Sequence, residues 1–144
     1  MTKNTPKLDR KKGLYLKHVE TKGRGVFCAF DIRAGETLEI SPCILLNERS
    51  TSLVDRTILG NYTFVAGTLS KEARKKASIK KASDASSIIM GIMSFCNHGE
   101  KPNAEVLWEE VGGTLYHTLR ATRKIPKHTE ICTTYGAGWF EDRK

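Results

Sequence analysis

Residues 97–103 read NHGEKPN, a polar stretch that follows the apolar run at 88–93 and leads into a strand-like segment. An Asn side chain offers a ligand one hydrogen-bond donor group and one acceptor. A stretch of this kind on its own is more often a tight connector whose side chains bond to their own backbone. His98 has no second ligand at the spacing of a zinc site. A functional role for this stretch can therefore be inferred only together with the motifs before and after it.

Upstream of this stretch, Gly23-Arg24-Gly25 lies between two strand-like runs. Glycine permits either a tight turn or a close approach of the backbone to a ligand, and both interpretations stay open. No helical pattern follows, which excludes a dinucleotide-binding motif of the Rossmann type.

Downstream, residues 130–136 read EICTTYG, in which Tyr135 ends a strand-like run just before a glycine. Its hydroxyl faces either a cleft or the ordinary core and surface of the protein. The pair Trp139-Phe140 follows. Two such aromatic side chains either seal the core or stack on a planar ligand such as a purine.

In this order, the motifs resemble the SET domain of protein-lysine methyltransferases, which carries an early G-x-G, then N-H-S-C-x-P-N, then E-L-x-F-D-Y. The resemblance extends over roughly residues 14–140, and the stretches at 29–36 and 62–64 support it. No cysteine-rich segment follows Tyr135, so we expect no zinc-binding post-SET module. The chain departs from the family pattern at Gly99, Glu100, Thr133 and Thr134.

The resemblance implies a mainly β fold, the SET β-clip of several small sheets with short helices and a knot-like C-terminal threading. It implies methyl transfer from S-adenosyl-L-methionine to the ε-amine of a protein lysine, with S-adenosyl-L-homocysteine as the product. Tyr135 is then the catalytic residue, and Tyr116 lines the substrate channel. The cofactor-binding residues that the resemblance implies are Arg24, Gly25, Phe27, Tyr62, Asn97, His98, Tyr135 and Trp139.

The 144 residues suit a single domain. We expect a basic tail over residues 1–12 and one SET domain over 13–144, with a variable insert at about 67–95. Short apolar runs separated by turn residues predict a β-rich chain, and Gly112-Gly113 predicts the turn of a hairpin. Within the insert, Ser70 is typical of a helix N-cap, and helix-forming residues continue to Lys81.

The formal net charge of +8 is concentrated in two segments, residues 1–12 and 71–81. Such segments are either solvated surface or a contact for nucleic acid or another acidic surface. No apolar run is long enough to cross a membrane, and the charged N-terminal stretch lacks the apolar region of a secretory signal. We therefore expect a soluble intracellular protein.

The four cysteines, Cys28, Cys43, Cys96 and Cys132, show no C-x-x-C spacing. This pattern favours free thiols in a reducing compartment and predicts no metal site.

Two functional hypotheses stay open at this point. In the first, the chain is an enzyme whose partner is a lysine-containing protein, a histone tail among the candidates, and which works alone or as a homodimer. In the second, it is a non-catalytic β-clip module that docks on nucleic acid or chromatin through its basic segments. Retention of Asn97, His98 and Tyr135 together favours the enzyme.

Overall fold

The computed structural model describes residues 5–65 and 69–134. The strands are β1 (Asp9–Arg10), β2 (Leu14–Val19), β3 (Gly23–Cys28), β4 (Thr37–Leu46), β5 (Thr63–Val65), β6 (Ser86–Ile89), β7 (Asn97–His98), β8 (Ala104–Val111), β9 (Thr114–Ala121) and β10 (Cys132–Thr133). The helices are α1 (Glu48–Val54) and α2 (Lys71–Ala77), with 3-10 turns at Ile58–Tyr62, Ala82–Asp84 and Ile92–Phe95.

Three sheets make up the described fold. The largest has the strand order β5-β6-β4-β9-β8, and β1 pairs with β4 beside this path. A hairpin of β2 and β3 forms the second sheet, and the parallel pair of β7 and β10 forms the third. Several small sheets with short helices are what the sequence predicted, and the predicted fold class is confirmed.

The predicted hairpin turn at Gly112-Gly113 is confirmed. Both residues have positive φ, of 59° and 78°. That conformation suits a two-residue turn because its twist matches the twist of the two flanking strands. β8 and β9 run antiparallel from Val111 opposite Thr114 to Ala104 opposite Ala121.

The main core lies between the large sheet and the two smaller ones. Its buried side chains include Val26, Leu38, Met93, Leu119 and Ile131. Val26 forms an isolated bridge with Ile131, so the second sheet touches the segment that leads into β10. This packing fixes the 3-10 turn at Ile92–Phe95 against β3, and β7 begins at Asn97, two residues after the turn ends.

Helix α2 is shorter than its sequence suggests, and it is docked against the hairpin. Ser70 caps its N-terminus by accepting from the Ala73 N–H at 3.1 Å, as predicted. The helix ends at Ala77 because Ser78 takes a left-handed conformation with φ of 58°. Ala73 and Ile79 are buried against Leu115 in a second apolar cluster.

Two segments near the expected boundaries take part in the large sheet. Within the stretch expected as a basic tail, Asp9 and Arg10 pair with Ile40 and Glu39 of β4. Within the stretch expected as an insert, β6 lies between β4 and β5. Short polar or apolar segments of this kind join a sheet through partners far away in the chain, which local sequence patterns do not reveal.

Candidate functional site

The site is organised around the parallel pair of β7 and β10. Asn97 lies opposite Cys132 and His98 opposite Thr133. Gly99 follows at a point of close approach, where a Cβ atom would lie 2.8 Å from the Cβ of Cys132. The glycine that replaces the family's serine therefore lets the two segments come together.

Asn103 secures this arrangement from the other end of the motif. Its Nδ2 donates to the Glu130 carbonyl at 2.9 Å, and its Oδ1 accepts from the Cys132 N–H at 2.9 Å. The side chain is nearly buried. Asn103 therefore acts as a clamp between the NHGEKPN stretch and the segment that leads to Tyr135, a role different from ligand binding.

A cavity of about 250 Å³ opens beside Asn97. Three residues expected to bind the cofactor, Arg24, Tyr62 and Asn97, share its lining although they come from distant parts of the chain. The other described residues that line it are Lys22, Gly23, Asn61, Ser94, Phe95 and Cys96.

One wall of the cavity is a stack of aromatic and cationic groups. The Arg24 guanidinium lies 4.7 Å from the centroid of the Phe95 ring. The Tyr62 ring meets Phe95 edge-on, with the ring centroids 5.6 Å apart. A cation over an aromatic face is attracted by the ring's negative face, and this contact orients Arg24 although its side chain is exposed to solvent.

A polar cluster surrounds the Asn97 amide. Its Nδ2 donates to Glu130 Oε2 at 2.6 Å and to the Arg24 carbonyl at 3.2 Å. Lys22 Nζ lies 3.7 Å from Glu130 Oε1. Gly25 sits directly beneath, where a Cβ atom would come within 2.5 Å of Glu130 Oε2.

Sequence reasoning missed Glu130, Phe95 and Lys22 as parts of this site. The sequence could have indicated Glu130 and Phe95 by their positions. Glu130 begins the EICTTYG stretch, and Phe95 stands just before Cys96-Asn97. Lys22 had no such indication beyond its position next to Gly23. Their roles depend on contacts between segments that are far apart in the chain, which motif spacing does not give.

The remaining expected site residues lie elsewhere or beyond the described chain. Phe27 stacks on Tyr15, with ring centroids 5.7 Å apart, and is not part of the described cavity lining. His98 is half-buried in the pair with Thr133. Tyr116 is partly buried on β9, opposite Pro42 of β4. Tyr135 and Trp139 lie outside the described residues.

The thiols near the cavity are unsuited to nucleophilic chemistry. Burial raises the pKa of the Cys96 thiol far above its ordinary value. Burial and then the nearby Glu130 carboxylate raise the pKa of Cys132. Both sulfurs stay protonated near neutral pH, and the thiolate is the reactive form. All four cysteines are free thiols, as the sequence predicted.

Two further observations apply to residues 5–65 and 69–134. Within these ranges, no three His, Cys, Asp or Glu side chains converge in the manner of metal ligands. No helix there is both long and apolar enough to cross a bilayer.

The fold and the site define a β-clip protein with a cavity where two distant motifs meet. The SET domain family matches residues 23–136, and the chain belongs to this family. The resemblance drawn from the sequence is thereby confirmed.

One relative and two solved structures illustrate the likeness. The chain is 30% identical over 131 residues to a Schizosaccharomyces pombe protein named histone-lysine N-methyltransferase, H3 lysine-37 specific, covering 90% of this chain and 78% of that protein. A Plasmodium falciparum protein described as a candidate histone methyltransferase matches with a TM-score of 0.61 and 22% identity, over 90% of this chain and 98% of that one. The Neurospora SET domain protein DIM-5, a histone lysine methyltransferase, matches with a TM-score of 0.65 and 17% identity, over 88% of this chain and 53% of that one.

Proposed function

We propose that this protein binds S-adenosyl-L-methionine in the cavity beside Asn97 and transfers its methyl group to a lysine of a histone. The general activity, methyl transfer to lysine in a protein, is that of the SET-domain methyltransferases to which the chain is related. The single observation that carries the proposal for the cofactor is the shared lining of the cavity by Arg24, Tyr62 and Asn97.

The described lining suits the chemical groups of this cofactor. Lys22 and Arg24 offer positive charge for a carboxylate, and Phe95 and Tyr62 offer aromatic surface for a planar base. Both donor contacts of the Asn97 amide are made within the protein, so its Oδ1 is the atom left to accept from a ligand amine. When bound, the cofactor supplies an electrophilic methyl group on a sulfonium centre.

The chain's own contribution is positioning. Lysine reacts only as the neutral amine, and its ordinary pKa is about 10.4. An apolar channel favours the neutral form because it disfavours the charged one. In the proposal, the Tyr135 hydroxyl orients this amine in line with the methyl group and the sulfur, and Trp139 covers the adenine. Alignment of this kind can provide much of the rate enhancement of a displacement reaction.

The proposed substrate class follows from the relatives. The fission yeast protein is named for a lysine of histone H3, and the Neurospora protein is a histone lysine methyltransferase. A lysine in a flexible histone tail also suits a channel that must admit one extended side chain.

The test combines binding and turnover. We expect calorimetry to detect S-adenosyl-L-methionine binding, and labelled cofactor to transfer methyl groups to at least one core histone. Tyr135→Phe should lower kcat at least tenfold and leave the thermal unfolding midpoint unchanged. Binding without transfer to any histone would overturn the substrate class. Undetectable binding of S-adenosyl-L-methionine to the folded protein would overturn its assignment as the cofactor.

A nucleic-acid contact is a second candidate function, and one surface favours it. Lys71, Lys75 and Lys80 are exposed and form no ion pair among the described residues. Lys71→Glu with Lys75→Glu should weaken any DNA binding and flatten its salt dependence, because fewer counterions are released. If the folded protein binds DNA but not the cofactor, the non-catalytic module is the better description.

A further inference from the structure

We propose that Glu130 is a positioning residue that fixes the Asn97 side chain in its ligand-binding orientation, an inference that rests on the proposed function. Glu130 is not part of the described cavity lining and would act through Asn97, which is. Its Oε2 accepts from Asn97 Nδ2 at 2.6 Å, a short bond of the charge-assisted kind.

The hydrogen bonds permit only one orientation of the Asn97 amide. Nδ2 carries two protons, and they go to Glu130 Oε2 and to the Arg24 carbonyl. A flipped amide would place Oδ1 against both of these acceptors, which is repulsive. The Glu130 carboxylate therefore leaves Asn97 Oδ1 as the acceptor for the ligand's ammonium group. An amide that is free to flip would instead turn its NH₂ donor toward that ammonium group half of the time.

Glu130 is itself held in place from several sides. Lys22 Nζ lies 3.7 Å from its Oε1, and Asn103 Nδ2 binds its backbone carbonyl at 2.9 Å. Its side chain is 17% exposed. Gly25 provides the space, because any Cβ there would displace Oε2. A rigid set of supporting contacts of this kind is what a preorganised binding group requires.

The test is a double-mutant cycle between Glu130 and Asn97, read out as the Kd for S-adenosyl-L-methionine measured by calorimetry. Glu130→Ala should weaken binding at least about twofold, because an Asn97 amide that is free to flip presents Oδ1 to the ligand amine only half of the time. Glu130→Gln keeps an acceptor oxygen and should recover most of this loss. In an Asn97→Ala background, Glu130→Ala should have no further effect, because the residue through which it acts is gone.

Two further variants make the result decisive. Glu105→Ala removes a carboxylate that pairs with Arg120 on the β8–β9 hairpin and is not part of the described cavity lining, so it should leave the Kd unchanged. Glu130→Asp draws the carboxylate back by one methylene without removing it, so it serves if Glu130→Ala does not fold. Its effect should also disappear in the Asn97→Ala background.

The outcomes separate the two proposals. Wild-type affinity in Glu130→Ala would overturn the positioning role. The positioning role would also be overturned if the double variant raised the Kd by the product of the two single effects. That result would mean that Glu130 and Asn97 act on binding independently, as a general structural role of Glu130 predicts. If the folded wild-type protein fails to bind the cofactor, the proposed function falls, and this inference falls with it.

Discussion

Asn97 and Cys132 face each other in a parallel pair of strands that are only two residues long. The pair has little backbone bonding of its own, so its stability depends on surrounding contacts. These contacts include the Asn103 clamp and the Gly99 N–H, which donates to the Thr133 carbonyl at 3.0 Å. The geometry of the cavity therefore depends on a small number of identifiable atoms, and each of them can be tested.

Gly99→Ala should disturb this pair. The added Cβ would lie 2.8 Å from the Cβ of Cys132, so the two segments must separate. We expect a loss of about 1–3 kcal/mol in the free energy of unfolding, as for other overpacked sites, together with weaker cofactor binding. Cys132→Gly removes the opposing atom. The Gly99→Ala, Cys132→Gly protein should therefore lose less stability than the sum of the single changes in urea unfolding, and full additivity would contradict this explanation.

Glu39 should be the most sensitive buried carboxylate. It is 1% exposed and accepts from the N–H groups of Ile92 and Met93 at 2.9 and 2.8 Å, and from Arg10 Nε at 2.9 Å. Glu39→Ala leaves the two N–H groups without acceptors, at about 1–3 kcal/mol for each buried group. Glu39→Gln should cost less because its amide oxygen still accepts.

Chemical denaturation provides the measurement for Glu39, with Glu105→Ala, a change at a partly exposed carboxylate, as the control. Because Ile92 and Met93 begin the turn that leads to Phe95, a folded Glu39 variant should also bind the cofactor more weakly. Equal stabilities of the Ala variant and the wild type would contradict the role assigned to Glu39.

His117 should make the protein sensitive to acid. Burial lowers the pKa of His117 to about 4, against the smaller opposite effect of the Leu107 backbone. In the unfolded chain, histidine titrates near pH 6.5. Above that pH the imidazole is neutral in the folded and unfolded states, so it does not change the unfolding free energy with pH. Below it the unfolded state binds a proton that the folded state does not, and by pH 4 about 3 kcal/mol of unfolding free energy is lost.

His117→Phe should therefore show a smaller fall in the unfolding free energy between pH 7 and pH 4.5 than the wild type, as measured by urea titration at each pH. His18→Gln, a change at an exposed histidine, should leave that fall unaltered. If His117→Phe and the wild type lose stability in parallel, another group is responsible for the acid sensitivity.

Arg24 should support ligand binding through its contact with Phe95. Arg24→Gln removes the positive charge and the attraction to the ring, worth about 0.5–1 kcal/mol at an exposed site. We expect the Kd for the cofactor to rise several-fold and the unfolding midpoint to fall by only a few degrees, about the shift that this loss of stability predicts. Arg56→Gln, at an exposed arginine that is not part of the described cavity lining, serves as the control. An unchanged Kd for Arg24→Gln would remove Arg24 from the site.

The family and the β-rich fold could be predicted because their signals are local. Gly112-Gly113 predicted a turn from its own conformational freedom, and Ser70 predicted a helix start from its own hydroxyl. The end of α2 was harder to predict. Residues after Ala77 are good helix formers, but the left-handed Ser78 lets Ile79 turn into an apolar cluster. In this case tertiary burial outweighs helix propensity.

The site was predicted less completely than the fold. Of the residues that motif order singled out, Arg24, Tyr62 and Asn97 line one cavity, and their role in cofactor binding stays a prediction. Phe95 and Glu130 were missed because a side chain's partner across the molecule is not encoded in its neighbours. The pairing of Arg10 with Glu39 is of the same kind.

The parallel pair also constrains when the protein becomes active during its synthesis. The segment at 132–133 leaves the ribosome well after Asn97, and the main sheet can assemble before it arrives. Until then the Asn97 amide has no Glu130 carboxylate to donate to, and the Gly99 N–H has no Thr133 carbonyl to donate to. A nascent chain therefore cannot complete the cavity beside Asn97 until the segment at 130–133 has also been translated.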